Sequence, residues 1–172
     1  HKGLFMKRIK MIVLLCAALC TLTACGAQQE QTVAGTCTLS ISCRTLADAP
    51  EKCKADKQEL IPADGWILPE ETLEFYEGES VFDVLLRETK NHKIHMEYSE
   101  TPLYQAAYIE GIGNLYEFDA GETSGWMYSV NGWFPNYGCS KYAVADGDVI
   151  SWVYTCDLGQ DVGGADAAGQ QQ

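Results

Sequence analysis

The sequence predicts an α+β fold: a mixed sheet crossed by one helix, with β-hairpins added. Three observations carry that reading. One amphipathic, capped helix pattern lies between strand patterns. Two glycine–asparagine turns, Gly113-Asn114 and Asn131-Gly132, are flanked by alternating residues. A last strand pattern, Val149 to Tyr154, carries bulk on both faces.

The elements follow in chain order. "TCTLSISCRT" alternates, with Cys37, Leu39, Ile41 and Cys43 on one face and small hydroxyls on the other, so it reads as a strand. "LADAPEKCKADKQEL" is polar and reads as a loop with a helical turn. "TLEFYEGES" gives a second strand ending at a glycine turn. In "ESVFDVLLRETKNH" Ser80 can cap a helix, and Asp83 adds favourable charge near its N-terminus. Val81, Val84, Leu85 and Glu88 line one side of that helix, and Phe82 and Leu86 broaden the stripe. "KIHMEYS" returns as a strand.

"AYIEGIGNLYEF" reads as a hairpin around Gly113-Asn114. That register sets Glu110 opposite Glu117, a like-charge pair that costs stability, so a shifted register is favoured over a nearby cation. In "DVISWVYTC" Ile150, Trp152 and Tyr154 share one face, with Val149 and Val153 on the other, as a central strand requires. One helix crossing such a sheet is the layout of a β-grasp-like fold.

The ends of the chain read differently. "HKGLF" before Met6 looks like a cloning scar or a misplaced start. Lys7, Arg8 and Lys10 then precede an apolar run from Met11 to Leu22, which suits a signal peptide and is too short to span a bilayer. Leu22-Thr23-Ala24-Cys25 resembles the bacterial lipobox, which implies lipidation of Cys25 and an extracytoplasmic, membrane-anchored location. The expected organisation is a signal with upstream scar at 1–24, a lipidated flexible tether at 25–35, one folded domain at 36–158 and a disordered tail at 159–172.

The net charge is −12. Four of the 12 basic residues precede Cys25 and all 24 acidic ones follow it, which leaves −16 on the mature chain. Such a surface repels phosphate backbones, which argues against nucleic acid as a partner.

"GWMYSVNGWFPNYG" concentrates ring surface beside an Asn-Gly turn of the type I′ kind. With Asn131-Gly132 as the loop, Val130 opposes Trp133, Tyr128 opposes Pro135 and Trp126 opposes Tyr137, all on one face. Pro135 cannot donate to a ladder, so its strand is short or an edge. Trp126, Tyr128, Trp133 and Tyr137 together can bury roughly 600–1,000 Å², more than a soluble monomer ordinarily leaves exposed. The expected division puts Trp126 and Tyr128, at the base, in the core. Trp133, Phe134 and Tyr137, at the tip, recognise a ligand or partner.

Catalytic motifs are missing. "HKIHME" contains H-x-x-H, but on a strand His92 and His95 point to opposite faces, so no metal site is expected there. The sequence has no G-x-S-x-G, glycine-rich phosphate loop or C-x-x-C. Asp146-Gly147-Asp148 reads as a turn and not as a calcium loop. The reading is that of a non-enzyme that requires no cofactor.

The run "GWMYSVNGWFPNYGCSKYAVADGDVISWVYTCDLG", with its G-W-x-Y-x-V-N-G, D-G-D and W-x-Y-T segments, resembles the transcobalamin-like C-terminal domain of bacterial surface lipoproteins. "EGESVFDVL" matches that family's helix start, and the resemblance covers Thr36 to Gly159. It implies a β-grasp-like domain. In the vertebrate cobalamin carriers the related domain forms a lid over a corrinoid, with an aromatic residue near the position of Trp126. The helical-barrel half of those carriers has no counterpart in this sequence, so corrinoid binding would need a second chain or a weaker site.

The resemblance also implies that first and last strands are parallel central neighbours. Cys43 then approaches Cys156 and Cys37 approaches Cys139, which gives two expected disulfides and leaves Cys53 free in its loop. A Cys139–Cys156 bridge across a turn at Gly147-Asp148 is the rival. Two functions remain open at this level. One is a surface ligand-binding module for a corrinoid or other ring-bearing small molecule, with Trp126, Tyr128, Trp133, Phe134 and Tyr137 as its contacts. The other is an adhesion or assembly module that docks on a surface protein or glycan.

Overall fold

The computed structural model describes residues 31–101 and 105–168. The expected signal peptide and the expected lipidation site, Cys25, lie outside the described residues. The described residues from Thr32 onward form one compact unit.

Among the described residues, seven strands fall into two sheets. β1 (Val33–Ser42), β2 (Trp66–Tyr76), β6 (Gly125–Val130) and β7 (Val149–Thr155) form a four-stranded mixed sheet in the order β2-β1-β7-β6. β3 (Met96–Thr101), β4 (Ala106–Ile112) and β5 (Leu115–Tyr116) form a second, antiparallel sheet. β1 runs parallel to β7 with Thr38 opposite Val149 and Ile41 opposite Trp152. The expected central pair is thus present. β1 starts at Val33, inside the expected tether, because its first residues pair with the end of β2.

The alternation in β1 has its physical result. Cys37, Leu39, Ile41 and Cys43 are buried in hydrophobic core, while Ser40 faces Ser151 across the sheet. α1 (Arg44–Ala47) and two short 3-10 turns, Pro50–Lys52 and Ala55–Leu60, fill the polar loop.

α2 (Val81–Asn91) begins at Ser80, whose hydroxyl accepts from the Asp83 N–H at 3.2 Å while Asp83 accepts from the Ser80 N–H at 2.8 Å. This reciprocal cap satisfies two of the N–H groups that a helix start leaves unpaired. Val81, Val84, Leu85 and Glu88 are buried, as their spacing requires. The three aliphatic residues pack with Leu39, Ile41, Ile109, Ile112, Ile150 and Trp152 in the main core.

Three expectations are corrected. The hairpin at Gly113-Asn114 keeps the simple register: Ile112 opposes Leu115, and the Glu117 N–H donates to the Glu110 carbonyl at 2.9 Å. The like-charge clash is relieved because the Glu117 carboxylate turns to accept from the Tyr108 hydroxyl. At Asn131-Gly132 the turn forms, with φ of 53° and 80° and the Val130–Trp133 pair closed by two backbone hydrogen bonds. The second arm then leaves the sheet, so Tyr128 faces Trp152 and Trp126 faces Tyr154 on β7, and neither faces Pro135 or Tyr137. Proline ends that ladder because it has no N–H to give. The chain beyond Gly159 is also folded as far as it is described. A 3-10 turn at Gln160–Val162 leads to α3 (Ala165–Ala168), with Asp161 accepting from the Cys156 N–H at 2.8 Å. Low hydrophobicity understated this segment because the backbone of Gly164 fits directly against Phe134 and Met127.

Neither expected disulfide is formed; Cys37, Cys43, Cys53, Cys139 and Cys156 are buried free thiols. Cys139 sits in the 3-10 turn Cys139–Lys141, which packs on α2 and β4, and its thiol faces the Ala107 carbonyl. Cys37 instead lies on β1 opposite Leu73 of β2. Cys43 and Cys156 do share a small second core with Leu46, Leu115 and Tyr154. Cys53 is a free thiol, as expected, and is buried with them.

Candidate functional site

β6 is an edge of the four-stranded sheet, and a cleft of about 200 Å³ runs beside it. Its walls come from β4, from the segment after β5, from β6 and from the Tyr137–Cys139 stretch. Ring surface dominates: Tyr108, Phe118, Trp126, Tyr128, Tyr137 and Trp152 all line it. Glu117 and Glu122 supply negative charge.

Each ring is positioned by a specific restraint. The Trp126 indole Nε1 donates to the Leu115 carbonyl at 2.8 Å, and its ring meets Tyr154 edge to face at 5.3 Å. The Tyr128 hydroxyl donates to the Tyr137 carbonyl at 2.8 Å, which ties the loop after the turn to β6. Tyr137 in turn stacks on Tyr142 at 6.2 Å. The Tyr154 hydroxyl donates to the Tyr116 carbonyl at 2.7 Å, anchoring the opposite wall to the central strand. Burial and the bond to Glu117 both push the Tyr108 phenol upward, so it stays protonated.

Two residues on this cleft hold unusual backbone. Phe118 has φ of 65° and Leu158 has φ of 47°, and both side chains are about half exposed. Left-handed backbone costs a bulky residue on the order of 1–3 kcal/mol, and such strain concentrates at functional sites. The Phe118 N–H donates to the Ser124 carbonyl at 3.0 Å and the Leu158 N–H to the Thr123 carbonyl at 2.9 Å, so one short loop fixes both. Trp152 adds a third mark. Its Nε1 is buried without a hydrogen-bond partner among the described residues, a state that ordinarily costs stability.

The five ring residues singled out in the sequence are therefore divided. Trp126, Tyr128 and Tyr137 come together in the cleft. Trp133 is 54% exposed beside the turn and touches Tyr137 edge to face, outside the cleft lining. Phe134 packs against Gly164 on the other side. Sequence reasoning missed Tyr108, Glu117, Phe118, Trp152 and Leu158 as a group. The Glu110–Glu117 clash was the available signal, since its relief is the Tyr108–Glu117 contact. His92 and His95 do not lie on a strand as expected: His92 is the C-cap of α2 and reaches Glu71, and His95 precedes β3 and reaches the Tyr116 hydroxyl, each at 2.8 Å.

Fold and cleft together define an α+β domain with an aromatic, acid-rimmed groove on a sheet edge. Residues 78–156 match a family model described as a domain of unknown function, DUF4430. No curated protein matches the chain. Among solved structures, the chain is similar to a candidate metal binding protein from Ruminococcus gnavus, with a TM-score of 0.42 and 17% identity over 70% of this chain and 96% of that one. It is also similar to haptocorrin in complex with Cbi, with a TM-score of 0.49 and 14% identity over 79% of this chain and 29% of that one. The chain thus spans less than a third of haptocorrin.

Proposed function

We propose that this chain is a surface-anchored lipoprotein whose domain is a non-enzymatic binding module, holding a ring-bearing small molecule in the cleft beside β6. The observation that carries the reading is Phe118, a half-exposed ring kept in left-handed backbone on the lip of an aromatic groove. Strain at an exposed aromatic residue is retained where the exposure is used. Cleft volume limits the ligand. Sites that enclose a drug-sized molecule run about 300–1,000 Å³, so about 200 Å³ takes one ring or the edge of a larger system. A corrinoid, the class the sequence resemblance implies, would seat by its edge and leave its other face for a second chain. Glu117 and Glu122 favour neutral or cationic ligands over anionic ones.

The non-enzymatic part rests on the chemistry of the groove. Tyr108 keeps its proton, and Cys139 at the base is buried with its thiol pushed up to about 12, so neither is an activated nucleophile. Titration with cobinamide and cyanocobalamin, read by tryptophan fluorescence and corrinoid absorbance, tests the binding. Saturable quenching that weakens in Phe118→Ala is expected. No spectral change at high micromolar ligand overturns the corrinoid assignment. Lipidation is tested separately: Cys25→Ser should abolish fatty-acid labelling and release the protein from membranes.

A second reading has one observation behind it. Trp133 and Tyr137 form an exposed ring pair at the Asn131-Gly132 turn, with Trp133 outside the groove. Such a pair suits docking on a surface protein or glycan. Trp133→Ala separates the readings, because it should abolish docking and leave small-molecule binding intact.

A further inference from the structure

His92 is the C-cap residue of α2, and its ring reaches down to β2. Its Nε2 lies 2.8 Å from Glu71 Oε1 and 3.9 Å from Glu88 Oε2. One donor atom from each of the three residues falls within 4.8 Å of the others. We propose that Glu71, Glu88 and His92 form a binding site for a divalent transition ion of the zinc class. None of the three lines the cleft, so the proposal stands apart from the ligand-binding reading.

The geometry needs little adjustment. Tetrahedral zinc with bonds of about 2.0–2.1 Å sets its donor atoms roughly 3.3 Å apart. The separations here bracket that value. Glu71 and His92 side chains are each about one-third exposed and can turn, while Glu88 is buried and fixed. Glu88 and His92 stand one helical turn apart, which places both donors on the same face. Glu71 comes from β2, so the ligand set bridges strand and helix.

Neighbouring groups orient the ligands without consuming them. Arg87 Nη1 engages Glu88 Oε1, and Asn91 Nδ2 donates to the same oxygen at 3.3 Å, with a longer 3.4 Å contact to Oε2. Oε2 is the oxygen nearest His92. Arg87 is itself neutralised by both oxygens of Glu79, at 2.9 and 3.0 Å. Glu79 and Glu88 thus share the one guanidinium of Arg87 while Glu71 contacts His92, so the three carboxylates and Arg87 together carry a net charge of −2, which matches a dication. The C-terminal end of α2 adds partial negative charge at the same place. An imidazole nitrogen with two carboxylates suits zinc, cobalt or nickel, whereas calcium and magnesium take oxygen ligands throughout. A fourth position is left for water.

The test uses the full chain, untagged and stripped with chelator. Zinc is titrated by calorimetry and cobalt by visible absorption. One equivalent should bind, and His92→Ala and Glu71→Gln should each weaken binding about tenfold or more, as loss of a ligand requires. Both substitutions are at partly exposed positions, and circular dichroism verifies that the variants fold. His95→Ala should bind like the parent. Zinc should also raise the melting temperature of the parent and not of His92→Ala. Absence of binding at submillimolar zinc overturns the proposal. So does affinity unchanged in His92→Ala, a thiolate-to-cobalt charge-transfer band that puts the ion on cysteine, or calcium binding as tight as zinc.

Discussion

Tyr128 lies against Trp152 with ring centroids 5.4 Å apart, and its hydroxyl donates to the Tyr137 carbonyl 2.8 Å away. One side chain thereby joins the central strand to the loop that walls the cleft. Tyr128→Phe should keep the stacking and lose the hydrogen bond, a cost of about 1 kcal/mol in urea unfolding. Ligand affinity should fall as well, because the Tyr137 loop is released. A variant with parental stability and parental loop protection in hydrogen exchange would show that this bond does not hold the wall.

Phe118→Gly should separate strain from use. Glycine accepts φ of 65° at no steric cost, so the variant should match or exceed the parent in stability by up to about 1 kcal/mol. Binding in the cleft should drop sharply because the exposed ring is gone. Equal binding by Phe118→Gly and the parent would remove Phe118 from the site.

Ser80→Ala removes the oxygen that accepts from the Asp83 N–H. A loss of about 1 kcal/mol is expected, within the range for caps of this type. Thermal unfolding by circular dichroism measures it, and Ser80→Asp should restore most of the loss. Retention of full stability in Ser80→Ala would mean that the helix start is held by core packing alone.

Alkaline pH should destabilise the reduced protein through its thiols. Burial pushes Cys37 and Cys43 up to about 11 and Cys139 up to about 12, from an ordinary 9.0. The unfolded chain releases these protons first. Stability is therefore intact below pH 9 and falls as pH rises toward 11–12, by roughly 1.4 kcal/mol per pH unit for each thiol in that window. Denaturant midpoints from pH 8 to 11 check this. A flat profile together with linked cysteine peptides in non-reducing mapping would show bridged cysteines instead.

Local chemistry made much of the fold legible. Ser80 and Asp83 announced the helix start, the alternation from Cys37 to Cys43 gave β1 its buried face, and Gly113-Asn114 and Asn131-Gly132 marked both turns. What local pattern cannot show is where a chain goes after a turn. Trp133 and Phe134 shared a motif with Trp126 and Tyr128, yet Pro135 ended the ladder and sent them to separate surfaces. The cleft was less legible for the same reason. Tyr108, Phe118 and Leu158 are distant in sequence and meet only because β4 packs near β6 and Thr123 and Ser124 hold the Leu158 and Phe118 amides. The free thiols follow this logic too, since the placement of Cys139 depends on how its turn packs against α2 and β4.

The parallel pairing of β1 with β7 joins Ser40 to a partner 111 positions later. A ribosome delivers β1 and β2 first, but the strand that belongs between β1 and β6 is the last of the four to be made. Until Val149–Thr155 has emerged, Leu39 and Ile41 lack one flank and β6 has no neighbour in its sheet. Closing so long a loop is slow. Sheet order thus keeps the four-stranded sheet open at its centre until Val149–Thr155 has been made.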